Sequence, residues 1–328
     1  MMRLLKVELD RFFSRRSTQV ALVGLLGMVL VALFATYQTS KPASEAEVAQ
    51  ATEWYEEQLV YWEENGKQEM ADCLADEAAE QETNPDVDWG CEYLEPQLEN
   101  YLQADRDLVD QAAGLVPAIG FATAFFAFVV GVSFVAAEFA TGSMGSWLTF
   151  EPRRTRVFWS KTVAAGLGVV VPTILASVLV VAGSWGLFAA WGAADGVTAE
   201  VWSEVAVGGL RVLLLTVGFA VLGAALAMIL RSTAAAIGLA VGYFVVVEGF
   251  LVQMVSGAQA WSLFQSFQAV LRGSSTYGVE DCTSTSEGLS CTWVERTVSL
   301  THGAVELTVL LAVVLAVALV VFRRRDVA

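Results

Sequence analysis

Histidine is almost missing from this chain: His302 is the only one in 328 residues. A histidine-rich metal centre is thereby excluded, and no serine, histidine and acid can form a nucleophilic triad with its base inside a membrane segment. The phosphate-cradling pattern Gly-x-x-x-x-Gly-Lys-Ser/Thr is absent as well, so the chain does not hold ATP by a P-loop of its own. Charged residues make up only 16% of the chain against 55% apolar ones, a balance that asks for a bilayer rather than a water-soluble core. No catalytic, cofactor-binding or metal-binding residue is expected, and no nucleic-acid partner.

What the chain has is six long apolar runs, near 18–37, 115–137, 162–191, 204–230, 233–256 and 303–322. Each reaches the roughly 20 residues needed to cross hydrocarbon. The expected fold is all-α: a polytopic membrane protein with six transmembrane helices. The third run is over-long and is expected to include an interfacial turn around Trp185 to Trp191. Lys and Arg set the orientation. Arg3, Lys6, Arg11, Arg15 and Arg16 precede the first run; Arg153, Arg154, Arg156 and Lys161 follow the second; Arg231 follows the fourth; Arg323, Arg324 and Arg325 follow the sixth. With six spans these 13 of the 19 basic residues share one side. Both termini are therefore expected to be cytoplasmic, in the inner or sole cytoplasmic membrane of a bacterial cell. A cleaved signal peptide is the alternative for the first run; its long apolar core and the lack of a small-x-small site favour a retained anchor.

Acid is distributed just as unevenly. Residues 38–110 hold 21 of the 35 acids and three basic residues, a net of −18, while the rest of the chain carries +2. Val48, Thr52, Tyr55, Leu59 and Trp62 repeat with alternating four- and three-residue spacing, and Leu94, Leu98, Tyr101 and Leu108 keep that register, broken once at Asp105. The spacing predicts an antiparallel hairpin of two helices, each about 30 Å long, with its acids outward. A turn-rich tip, with Asn84-Pro85 and Trp89-Gly90, lies between them. The acidic surface either attracts a cation or basic partner or simply keeps a rigid projection soluble. All four cysteines fall on this side, as Cys73 with Cys91 and Cys282 with Cys291, and read as two local disulfides. Free thiols are the alternative. Residues 2–14 carry Met2, Leu5, Leu9 and Phe12 on one face, an amphipathic elbow helix leading into the first span. Trp261, Phe264, Phe267 and Leu271 predict a second amphipathic helix, interfacial or re-entrant, ahead of a small polar disulfide loop.

The connection after the second run, GVSFVAAEFATGSMGSWLTFEPRRTRVFWSK over residues 131–161, is more than a polar turn. Met144, Trp147 and Leu148 stand at i, i+3 and i+4, an apolar stripe on a short helix. In order it reads Glu138, then Gly142-x-x-Gly145, then Leu148, then Pro152-Arg153-Arg154, then Arg156 and Lys161. This pattern resembles the cytoplasmic coupling region of type-2 ATP-binding-cassette (ABC) export permeases, as does the order of the six spans. The acidic hairpin lies outside the resemblance. It implies that residues 138–158 contact a separate ATPase subunit, which would carry the ATP and Mg, and that a second permease, identical or a paralogue, completes the transporter. It also implies roles: Glu138 anchors the turn, Gly142 and Gly145 permit its geometry, and Arg153, Arg154 and Arg156 pair with ATPase acids or lipid phosphates. Positive-inside arginines with an interfacial Trp147 are the plainer reading.

Two charges inside the membrane need partners. Arg211 in the fourth run and Glu248 in the fifth lie at similar depth, roughly 10–12 Å from the outer surface, and are expected to form an ion pair supported by Gln253. The pair would act as a helix lock or as part of an outer gate. Phe125, Phe126, Phe128 and Phe134 either line an apolar path or face lipid and neighbouring helices.

The organisation expected is an elbow helix (1–17), the first span (18–37), the acidic hairpin (38–114), spans two to five with the coupling helix 138–158 (115–256), the second outer module (257–302) and the last span with its tail (303–328). The function expected is the permease subunit of an ABC exporter of a drug, antibiotic, peptide or lipid. Two alternatives remain: a non-transporting scaffold or mechanotransmitter acting through its stalk, and an ion-coupled carrier using Glu248.

Overall fold

A computed structural model describes residues 2–82, 84, 87–102, 107–255, 257–285 and 288–325, without the side chains of residues 2, 3 and 281–290. Pro85, Asp105 and the Cys282 side chain therefore lie outside the described residues. Among the described residues six helices are long and apolar enough to cross a membrane, and the chain is a multi-pass membrane protein.

α1 (Met2–Ser14) is the amphipathic N-terminal helix, and an extended Arg15 separates it from α2 (Arg16–Ser40), the first span. α1 lies along a later span, burying Phe12, which packs on Gly168. α3 (Glu45–Gln81) opens with a capping box: the Ser44 N–H and hydroxyl donate to Glu47 Oε2 at 2.8 and 2.7 Å. These bonds favour the charged form and hold the Glu47 carboxyl below its ordinary value. This helix runs for 37 residues, about 55 Å.

The return limb differs from the expected second helix. It holds a 3₁₀ turn at Cys91–Tyr93 and a one-turn α4 (Leu98–Tyr101). Pro96 stands in the middle of the anticipated register, where a helix interior would lose a hydrogen bond and meet the ring. The limb still returns along α3, with Tyr101 edge-on to Tyr55 of the foreseen face and to Trp54 beside it. The Cys73–Cys91 disulfide closes the tip.

α5 (Leu108–Ala140), the second span, continues after a left-handed turn at Gly142 into α6 (Ser143–Phe150). α7 (Arg154–Gly168) and α8 (Val170–Ala190) form the third span. They are separated at Val169 because Pro172 has no N–H for the Gly168 carbonyl. The excess length of this span lies at its start; Trp185 stays inside α8, and of the expected 185–191 turn only Trp191 takes part, with Gly192. α9 (Ala199–Leu230) is the fourth span, and packs closely on α5.

The fifth span begins as α10 (Thr233–Gly242), widens into a π-helix over Tyr243–Leu251 and ends as α11 (Val252–Met254). A 3₁₀ turn (Ala258–Trp261) leads into α12 (Leu263–Arg272), the expected amphipathic helix. In place of a small loop there follows an antiparallel hairpin, β1 (Ser274–Thr285) with β2 (Gly288–Ser299), in register from Ser274↔Ser299 to Thr285↔Gly288. Cys282 and Cys291 are register partners, and Cys291 is disulfide-bonded. Trp293 covers Gly278, leaving no room for a Cβ there. α13 (Leu300–Arg324) is the sixth span. The largest core cluster gathers Phe12, Phe134, Met144, Phe158, Met228 and Phe322 at the end of the bundle that carries both termini, the basic end.

Candidate functional site

The connection between the second and third spans is built around a buried ionic hub. Glu138, on the last turn of α5, is 1% exposed, and Lys161 on α7 and Glu8 on α1 are both 0% exposed. Lys161 Nζ lies 2.5 Å from Glu138 Oε2 and 3.0 Å from Glu8 Oε1. Arg15 donates to Glu138 Oε1 at 2.7 Å, and Arg11 stands 3.7 Å from the same oxygen. Two aromatic faces complete the enclosure. Trp147 of α6 faces Arg11 at 4.9 Å and Lys161 at 5.6 Å, while Phe134 of α5 faces Arg15 at 5.0 Å. Three cations thus share two carboxylates and two rings, which offset part of the cost of burying these charges, although Glu8 Oε2 and Arg11 Nη1 have no hydrogen-bond partner among the described residues.

The hub revises several expected roles. Glu138 does anchor the turn, but by holding cations from α1 and α7. Met144 is fully buried in the main core and Leu148 packs against it. Of the stripe, Met144 faces the core, while Trp147 and Leu148 are half-buried beside it. Gly142 takes φ 68°, a left-handed turn that favours glycine, whereas Gly145 is helical. Arg154 is also used within the chain: it donates to the carbonyls of Phe322 (3.3 Å) and Arg325 (2.5 Å) at the end of α13. There it satisfies free carbonyls and the negative end of the helix dipole.

What remains outward is Phe150, 86% exposed, with Ser146, Thr149, Pro152, Arg153 and Arg156 exposed around it. Arg156 is held 3.7 Å from Glu151. Phe150 follows Trp147 by three residues and so borders the Met144–Trp147–Leu148 stripe, but it stands on the exposed side of it.

Arg211 and Glu248 do not pair. The Glu248 carboxylate accepts from Tyr243 Oη (3.0 Å), the Leu263 N–H (2.8 Å) and Ser262 Oγ (2.5 Å). It sits at the N-terminus of α12, whose free N–H and dipole take the place of a cation. The Arg211 guanidinium lies against Gly273, the residue that caps the other end of α12. Gln253 is exposed and accepts from Gln259 at 3.1 Å, away from Glu248.

The four phenylalanines of α5 do not form one wall. Phe128 and Phe134 are buried in the core, Phe125 is 46% exposed, and Phe126 packs on Gly24 of α2. At 3.6 residues per turn these positions point in four directions.

Residues 103–328 match the model of a family described as a protein of unknown function, DUF2705. The match includes spans two to six, the hub residues Glu138 and Lys161, and α12; it leaves out α1, α2 and the acidic α3. No curated protein and no solved structure matches the chain.

Proposed function

We propose that this chain, which belongs to the DUF2705 family, is the membrane-embedded permease subunit of an ABC-type exporter driven by a separate ATPase. The observation that carries the reading is α6. It is a short helix at the basic end whose inner face is locked into the hub and core, while its outer face presents Phe150 beside Arg153 and Arg156. An apolar anchor ringed by cations suits a groove with acidic edges. In this reading the basic end and both termini are cytoplasmic, by the Lys and Arg distribution. The ATPase binds ATP and Mg, and its closure pushes on Phe150. Because Trp147, Glu138 and Lys161 tie α6 to α5, α7 and α1, the push moves spans rather than a loop. Two copies, or this chain and a paralogue, enclose the path, with Phe121 and Phe125 exposed along the second span to line it. The cargo is a hydrophobic or amphipathic compound.

A second reading, a scaffold or mechanotransmitter, is favoured by one observation. The 37-residue α3 is a stiff projection outside the part of the chain that the family model covers. The ion-coupled carrier loses ground, since Glu248 is already engaged by three donors.

The deciding experiment is purification of the tagged chain from its host in mild detergent, with mass spectrometry of what accompanies it. A stoichiometric soluble ATPase, lost with Phe150→Ser, is the expected result. A preparation lacking any ATPase, from cells in which the chain is folded, overturns the permease reading and leaves the scaffold.

A further inference from the structure

Helix α12 is ten residues long, too short to be stable alone in water, yet three membrane spans place polar groups against it. Glu248 from the fifth span holds its first turn, through the Leu263 N–H and Ser262 Oγ. Arg211 from the fourth span lies at its C-terminal cap, its Nη1 3.1 Å from where a Cβ on Gly273 would stand. Midway, Ser266 Oγ donates to Glu306 of the sixth span at 2.5 Å. The two charges are matched in sign to the helix dipole, carboxylate at its positive end and guanidinium at its negative end.

α12 packs on smooth glycine surfaces and against side chains alike: Phe267 and Leu271 belong to a buried cluster with Val116, Val212 and Leu215, and Phe264 meets Phe244 edge-on at 5.9 Å. Leu271 rests on Gly120 and the Ser266 backbone on Gly303, positions where a Cβ would come within 2.5 Å of its neighbour. Phe267 meets Phe121 and Phe219 edge-on, at 5.8 and 5.6 Å. This apolar packing gives the seat its area, while the polar contacts fix the helix at its two ends and its middle. The element that carries Glu248 is the π-helix Tyr243–Leu251, a type of distortion frequent where a helix changes shape.

We infer that α12 is a plug seated in the acidic end of the bundle and latched by Glu248 and Arg211 acting on its two ends, and that opening the Glu248 latch releases it as a unit. The plug requires no ATPase; it closes this end of the bundle in a transporter or a scaffold alike. Tyr243 and Ser262 would stay with Glu248 or α12 respectively on release, so the parting surface runs between the Glu248 carboxylate and the first turn of α12.

Hydrogen exchange on the full chain in lipid nanodiscs tests this. With Glu248→Ala the α12 amides are expected to exchange at least about fivefold faster, the size of a lost charge–dipole contact, while α5 and α9 keep their rates. Gly273→Ala should give the same pattern from the other end, since φ 104° and the Arg211 contact both resist a side chain there. Unchanged α12 exchange in both variants, or equal acceleration of α9, would overturn the plug. If Glu248→Ala yields no folded protein, Gly273→Ala decides by the same two outcomes.

Discussion

Lys161 Nζ and Glu138 Oε2 stand 2.5 Å apart, with side chains 0% and 2% exposed, and join two elements that the chain separates by the whole of α6. Removing one partner of a buried pair costs about 3–5 kcal/mol, because the other charge is left uncompensated. Glu138 serves three cations, whereas Lys161 serves two acids, one of which keeps Arg15. Glu138→Ala is therefore expected to lower the thermal midpoint in detergent more than Lys161→Met does. An equal or reversed order would show that Arg11 and Arg15 do not depend on Glu138.

Phe150 and Met144 lie about 120° apart around the same eight-residue helix, one 86% exposed and the other fully buried. Met144→Ala empties core space and should cost about 2–5 kcal/mol of stability. Phe150→Ser should stay within about 0.5 kcal/mol, as surface changes do. If the outer face of α6 is where an ATPase docks, only the second variant loses that subunit while remaining fully folded. Thermal melts and co-purification on the same two variants separate the roles; loss of stability in Phe150→Ser would mean that this face is not free.

The Cys73–Cys91 bridge closes an 18-residue separation at the far end of α3. In the loop-entropy model such a closure is worth about 3 kcal/mol. The bridge ties the turn at Cys91–Tyr93 to α3, so Cys73→Ser with Cys91→Ser should admit protease near the tip without shifting the melting of the spans. A parallel drop in both would mean that stalk and bundle unfold together.

The spans were legible because a bilayer demands length and apolarity, and both are properties of contiguous sequence. Their ends were less so: the third helix starts at Arg154, eight residues before its apolar run, since hydropathy cannot register a buried Lys161 as helix interior. The hub was hidden for a related reason. Glu8 and Lys161 are 153 positions apart, and each basic residue taken singly satisfies the positive-inside rule. For Met144, Trp147 and Leu148 the spacing correctly marked one apolar face, but spacing does not say whether that face meets a partner or the chain itself. Arg211 and Glu248 needed opposite charge, and a helix dipole supplied it where a side-chain pair was expected. The β1–β2 hairpin carries a period-two signal of its own, with Tyr277 and Val279 on one strand and Val294 and Val298 on the other, beside the cysteine pair that marks the same region as a closed loop.

The closest helix contact makes the sharpest stability prediction. A Cβ on Gly131 of α5 would fall 2.1 Å from the Ala220 carbonyl oxygen, and one on Gly223 of α9 would fall 2.3 Å from the Phe128 oxygen. The two helices thus meet backbone to backbone, in the manner of small-residue packing in membranes, where close approach and dispersion replace the hydrophobic effect between helices. Neither obstacle is a flexible side chain, so an added methyl must push the helices apart. Gly131→Ala is expected to cost at least about 1–3 kcal/mol, the range for overpacking. Gly186→Ala provides the control: nothing lies within 4 Å of its Cβ position, and replacing glycine there should be neutral or favourable to the helix by up to about 1 kcal/mol. Melting points of the two variants, measured in the same detergent, should move in opposite directions or leave Gly186→Ala unchanged. A Gly131→Ala protein as stable as the parent would mean that α5 and α9 are not held at this separation.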